Sequence, residues 1–172
     1  MSTVAWIACG YHAVYGGAGG TALHVTLARS LVSDGIASDE VLAGMREELA
    51  VQGLLESGDG YPRAEVEVLR ADATSEGIQA AGSGVLARGT AVAMVARAWV
   101  VAQRNGPPAR DTGDMRAAVV VALDEAAGGL DPRAAVFHDA DARRAAGRRL
   151  GHKLALKLVG APSSTDEDLN RP

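Results

Sequence analysis

The chain contains residue types able to carry catalysis or bind phosphate, but their spacing does not assemble a reactive site. The run Gly16-Gly17-Ala18-Gly19-Gly20 could present backbone N–H groups to a phosphate. No Lys-Ser or Lys-Thr pair follows it, and it precedes a predicted strand instead of joining a strand to a helix, so we reject nucleotide binding. The histidines lack the spacing of zinc sites, and no serine stands in a nucleophile elbow. We therefore predict neither an enzyme nor a metal or cofactor site.

Two arginines flank the turn of a predicted hairpin. Arg104 and Arg110 stand on either side of Asn105-Gly106-Pro107-Pro108, a sequence typical of a turn. Cations at this position either keep the hairpin tip soluble or donate charge-assisted hydrogen bonds to phosphate groups of a ligand. Both alternatives stay open, and Arg104 and Arg110 are the candidate ligand-binding residues.

A second group of cations lies on the last predicted helix, on the arc opposite its leucines. The group is either a solvated helix face whose late cations favour the helix C-terminus, or a contact surface for anionic lipid or an acidic partner. Its members are Arg148, Arg149, His152, Lys153 and Lys157. The sequence does not decide between these alternatives.

Cys9 is the single cysteine, so neither an internal disulfide nor a Cys-x-x-Cys metal site can form. Ile7-Ala8-Cys9-Gly10 ends a short apolar stretch and resembles the site where a bacterial lipoprotein signal is cut and the new N-terminal cysteine acylated. Trp6 stands where such a signal usually has a branched aliphatic residue. The Gly-rich stretch that follows suits a tether. We predict lipidation at Cys9, with an ordinary free thiol as the alternative.

Composition narrows the class of protein further. The chain has 172 residues, 48% of them hydrophobic, which is enough to form the core of one globular domain. A formal net charge of -4 removes the positive field that draws proteins onto nucleic acid, so we expect no nucleic-acid partner. No apolar run reaches the roughly eighteen residues that a membrane-spanning helix needs.

Hydrophobic periodicity predicts four strands and two helices that must position these residues. Alternation predicts the strands, and i, i+3, i+4 spacing predicts the helices. The first elements are a strand at 22–28, a helix whose N-cap is Ser38 and which ends at Gly53, and a strand that starts near Ala64 with Glu65 and Glu67 facing water. Strands at 84–102 and 115–123 then form a long antiparallel hairpin. The last element is a helix at 137–159, in which Leu150, Leu154 and Leu158 lie on one face and Ala146 extends this stripe.

This order, β-α-β-β-β-α, predicts an α+β two-layer sandwich in which a four-stranded sheet carries both helices on one face. We divide the chain into a lipidation site and Gly-rich tether at 1–20, a single α+β domain at 21–160, and an acidic tail at 161–172 that we expect to be disordered.

The combined pattern resembles the outer-membrane lipopolysaccharide-assembly lipoprotein family, LptE. The segments that carry the resemblance extend over nearly the whole chain. They are Cys9-Gly10-Tyr11 at the lipid-anchor position, the strand Leu23-His24-Val25-Thr26-Leu27, Gly35-Ile36 before the helix at 41–49, the strand at 64–72, the hairpin at 89–123 and the closing helix at 142–159.

The resemblance implies a non-enzymatic lipoprotein, anchored to the outer membrane through its N-terminal lipid and facing the periplasm. It would plug a large β-barrel translocon, help that barrel assemble, and contact lipopolysaccharide on its way to the outer leaflet. The alternative from another class is a lipoprotein regulator of periplasmic peptidoglycan synthesis, which would present a compact docking face instead of a plug. A cytoplasmic enzyme is a third alternative, disfavoured because no catalytic set is found.

Overall fold

The computed structural model describes residues 20–79, 86–122 and 132–160. These ranges hold, in chain order, β1 (His24–Ser30), α1 (Gly35–Val51), β2 (Arg63–Gln79), β3 (Leu86–Val101), β4 (Pro108–Asp111), β5 (Met115–Ala122) and α2 (Pro132–Val159). Cys9, the tether up to residue 19 and the acidic tail lie outside the described residues.

The strands form one open mixed sheet in the order β1-β2-β3, and β4 and β5 share the far edge of β3. β1 runs parallel to β2, whereas the other strand pairs are antiparallel. The predicted α+β class is confirmed. The hairpin predicted from residues 84–102 and 115–123 is the pair formed by β3 and β5, since Ala96 lies opposite Met115 and Gly89 opposite Ala122.

β4 adds a short fifth strand inside the stretch that the sequence assigned to the hairpin loop. It pairs with the last residues of β3 at three positions, Trp99 with Asp111, Val100 with Arg110 and Val101 with Pro108. Four residues are too few to show a period of two, and their pairing depends on where β3 ends. Local sequence pattern therefore does not reveal this strand.

A single core fills the space between the sheet and the two helices. Ala64, Val66 and Val68 of β2 alternate inward and are fully buried, and the inward residues of β3 do the same. The leucine stripe predicted for the last helix is confirmed, because Leu150 and Leu154 are 0% exposed and Leu158 is 2% exposed. Both helices thus bury their apolar faces against the same face of the sheet.

The prediction that Ser38 caps the first helix is wrong. The N-cap is Asp34, whose Oδ1 accepts a hydrogen bond from the Ile36 amide at 3.0 Å, and α1 starts at Gly35. Ser38 lies inside the helix, 3% exposed, with its hydroxyl 2.8 Å from that of Ser30. The predicted end is confirmed: Gly53 adopts a left-handed conformation with φ of 68° directly after the C-cap.

Other predicted boundaries differ from the structure by a few residues. β1 spans His24–Ser30 instead of 22–28, whereas β2 begins at Arg63, next to the predicted start. α2 begins at Pro132, five residues before the predicted start at Phe137. A proline fits the first turn of a helix because the amide it lacks would have no intrahelical partner there.

The two helices run in the same direction and approach each other through glycines. A Cβ atom on Gly151 of α2 would lie 2.1 Å from the Val41 carbonyl oxygen of α1. A Cβ atom on Gly44 of α1 would lie 2.2 Å from the Arg148 carbonyl oxygen of α2. Both obstacles are backbone atoms, so only glycine allows this separation of the helices.

Candidate functional site

A cavity of about 410 Å³ lies at one end of the sandwich, where the ends of several elements meet. Most of its described lining is aliphatic, and among the described residues Arg110 of β4 is the one charged member of that lining. The lining residues are Gly20, Thr21, Leu23, Leu54, Pro62, Val100, Ala102, Ala109, Arg110, Leu158 and Val159. An apolar cavity with one cation in its wall can accept an apolar chain that carries an anionic group.

Arg110 is held at the cavity by the C-terminus of α2. Its Nη1 donates a hydrogen bond to the Leu158 carbonyl oxygen at 2.9 Å. The last carbonyls of a helix lack intrahelical partners and carry partial negative charge, so a guanidinium is favourable there. A guanidinium has five N–H donors and this contact uses one, so the exposed Arg110 can also bind an anion.

β4 is fastened to β3 by side chains next to Arg110. The Arg97 guanidinium forms an ion pair with Asp111, whose Oδ1 also accepts the Gly113 amide at 2.7 Å. The Thr112 hydroxyl accepts the Ala98 amide at 3.0 Å. The hydrogen bond from Arg97 lowers the pKa of Asp111 below its usual value, with the Gly113 amide acting in the same direction. A lowered carboxyl pKa means that this ion pair is present at neutral pH and is lost only as the pH falls through that lowered value.

The structure separates the two arginines that the sequence grouped together. Arg104 lies in the exposed turn after β3 and is not part of the cavity lining. The predicted turn itself is confirmed, because Asn105 has a positive φ of 59° and the Gly106 amide donates to the Gln103 carbonyl oxygen at 3.0 Å. Arg110 is therefore the stronger candidate for ligand contact.

Some of the cationic side chains of α2 contact carboxylates of α1. Arg148 Nε donates to Glu40 at 2.6 Å and its Nη1 lies 3.4 Å from Glu47. The hydrogen bond that Arg148 donates to Glu40 raises the pKa of Arg148 above its usual value. His152 Nδ1 lies 3.1 Å from Glu48. The sequence offered two roles for these cations, a solvated helix face or a surface for anionic contacts. The structure instead shows Arg148 and His152 in contact with carboxylates of α1, so these two side chains link the two helices.

Two further observations concern the part of the chain that the structure describes. No cluster of three or more His, Cys, Asp or Glu side chains there is arranged to hold a metal ion. None of the described helices combines the length and apolarity needed to cross a bilayer.

Comparison with known proteins gives matches among solved structures alone. No family model matches the chain, and no curated protein matches it. Three of the similar solved structures are named as bacterial lipoproteins.

A candidate lipoprotein from Caulobacter crescentus CB15 is 14% identical, with a TM-score of 0.49, and the match covers 76% of this chain and 86% of that one. A minor lipoprotein from Acinetobacter baumannii is 9% identical, with a TM-score of 0.45, covering 77% and 90% of the two chains. Rare lipoprotein B from Shewanella oneidensis is 13% identical, with a TM-score of 0.41, covering 86% and 99%.

Proposed function

We propose that this protein is a lipoprotein acylated at Cys9 that plugs and helps assemble an outer-membrane β-barrel translocon for lipopolysaccharide. The observation that carries the proposal is Ile7-Ala8-Cys9-Gly10, set ahead of a Gly-rich stretch and of an α+β sandwich. An acylated N-terminus followed by a tether would hold the sandwich close to a membrane. In this proposal the protein faces the periplasm and catalyses no reaction.

The face of the sheet opposite the helices supports the plug role. Side chains from neighbouring strands pair there: Arg29 Nε donates to Glu67 at 2.7 Å, and Trp99 Nε1 donates to Glu65 at 3.0 Å. This part of the face, where polar groups are paired across β1, β2 and β3, can lie against the polar wall of a barrel lumen without the desolvation cost of unpaired charges.

The cavity beside Arg110 supports contact with lipopolysaccharide. A lipopolysaccharide carries phosphate groups next to acyl chains. The Arg110 guanidinium would bind a phosphate through charge-assisted hydrogen bonds. The aliphatic lining formed by Val100, Leu158 and Val159 would accept part of an acyl chain.

Charge reversal at the two arginines tests this contact. We expect Arg110→Glu to weaken binding to purified lipopolysaccharide about tenfold at low salt, since a hydrogen bond to a charged group is worth roughly 1.5 to 3 kcal/mol. The matched control, Arg104→Glu, should have a smaller effect because Arg104 does not line the cavity. Arg110→Lys keeps the positive charge, so its affinity for lipopolysaccharide should lie between those of the unchanged protein and Arg110→Glu. Titration with fluorescent lipopolysaccharide at two salt concentrations measures all three. Equal affinities for Arg110→Glu and the unchanged protein at low salt would contradict the contact.

The partner distinguishes the proposed function from its alternative. We expect the full-length protein, affinity-tagged at its C-terminus and extracted from native-host membranes in mild detergent, to copurify with a large outer-membrane β-barrel. Mass spectrometry of the eluate identifies the partner, and an extract of untagged cells is the control. Recovery of a peptidoglycan synthase in place of a barrel would overturn the translocon role and support the regulator.

A further inference from the structure

The outer edge of β5 is left unpaired by the strands that the structure describes. β5 pairs with β3 on one side, from Met115 opposite Ala96 to Ala122 opposite Gly89. No strand in the described parts of the chain pairs with its other side. In a strand bonded on one side, every second residue turns its N–H and C=O groups toward the open side. β5 therefore presents a row of backbone donors and acceptors that another strand can bind.

The other edges that lack a partner among the described strands carry features that discourage strand pairing. The register of β1 is irregular beside Arg29, whose side chain is 64% exposed. β4 begins with Pro108, which has no N–H group to donate. The part of β2 beyond β1 carries the exposed Arg70–Asp72 ion pair. Charges, prolines and irregular register are the usual means by which proteins protect edge strands.

β5 lacks these protections over most of its length. After Arg116 it reads Ala117 to Ala122, AAVVVA, without a charge, a proline or a glycine. Val120 is 53% exposed on the face opposite the helices, and Ala118 is exposed on the same face. Short apolar segments rich in β-branched residues and free of charge are those that pair most readily with other strands.

We propose that the open edge of β5 pairs antiparallel with β5 of a second copy of this chain, joining two sheets about a two-fold axis. The two-fold axis is perpendicular to the joined sheet, so residues paired across it lie on the same side of that sheet in both copies. Val120 and Ala118 of one copy therefore contact apolar side chains of the other copy. If the two-fold axis passes beside Val119, the two Arg116 side chains lie at opposite ends of the paired segment. The pairing therefore joins apolar residues without opposing like charges, and it is independent of the proposed lipopolysaccharide contact.

Substitution of an edge residue tests the pairing in the full-length chain. All proteins compared, the parent included, carry Cys9→Ala. Two copies then cannot associate through acyl groups or become linked by a disulfide. We expect sedimentation velocity to show a concentration-dependent dimer for the parent and a dissociation constant raised about tenfold or more by Val120→Lys, because an exposed lysine blocks edge pairing. The matched control is Val51→Lys at the end of α1, where the side chain is 77% exposed and outside the sheet. It should leave the dimer intact.

Amide exchange provides a second readout. Between Met115 and Ala122, alternate amides of β5 point to the unpaired edge, and dimer formation should slow their exchange. The intervening amides donate to β3 and should be protected at all protein concentrations. A parent chain that remains monomeric across the dilution series overturns the proposal. It is also overturned if Val120→Lys and Val51→Lys behave alike, or if β5 exchange does not depend on concentration.

Discussion

Alanine at position 151 should destabilise this protein more than its size suggests. The new Cβ would lie 2.1 Å from the Val41 carbonyl oxygen and 2.6 Å from the Met45 amide nitrogen, both backbone atoms of α1. Because no rotamer change relieves that overlap, the two helices must separate. Overpacking of this kind costs typically 1 to 3 kcal/mol and occasionally more, so we expect a loss of about 3 kcal/mol, or about 10 °C in Tm. The free energy of unfolding is only about 5 to 15 kcal/mol in total.

Glycines in other settings give matched controls for this substitution. Gly35→Ala should leave stability unchanged or slightly raised, because an added Cβ there meets no atom within 4 Å. The stability of Gly147→Ala should lie between those of Gly151→Ala and Gly35→Ala, because the atom nearest to the added Cβ is the Glu40 side-chain Cβ atom at 2.9 Å. Urea titration followed by circular dichroism measures the series. Equal stability of Gly151→Ala and Gly35→Ala would show that the helices do not approach as closely as described.

Periodicity predicted most of the fold because the core of this protein is built from regular alternation. Residues 64–68 and 92–98 alternate buried and half-exposed side chains, as a sheet covered on one face requires. The leucines of α2 were predicted for the analogous reason, at helical spacing. The predicted class and layers depend on these patterns alone, so they agree with the structure.

Contacts between segments distant in the sequence explain what the prediction missed. Ser38 is a good N-cap by residue type, but the chain before it can turn into the helix four residues earlier because Asp34 caps it and Arg143 of α2 binds the Asp34 carboxylate at 3.0 Å. The close approach of Gly44 and Gly151 joins α1 and α2 across about a hundred residues. No local window contains these partners.

The candidate site was predictable in part. The sequence singled out Arg110 through its position beside a turn, but it gave Arg104 equal weight. What separates them is the pairing of Arg110 with Val100, which directs β4 toward the end of α2. The cavity is lined by residues from the ends of several elements, and each of those residues is an ordinary aliphatic one in its own segment.

Loss of the Cys9 thiol should release the protein from the membrane. One acyl chain gives marginal membrane binding and several chains give stable anchoring, so a protein acylated at Cys9 depends on that residue for its location. We expect Cys9→Ala, expressed in the native host, to move from the membrane fraction to the soluble fraction. Val51→Lys, an exposed substitution far along the chain, is the matched control and should stay with the membrane. The two fractions are compared by immunoblot after carbonate-free lysis and ultracentrifugation.

The mass of the N-terminal peptide tests the central claim most directly. Protein purified from native-host membranes is digested with protease, and the peptide that contains Cys9 is analysed by mass spectrometry. Our account predicts that Cys9 is the first residue of this peptide and that its mass includes acyl groups. A peptide in which Cys9 is unmodified and still preceded by Ile7-Ala8 would contradict the account.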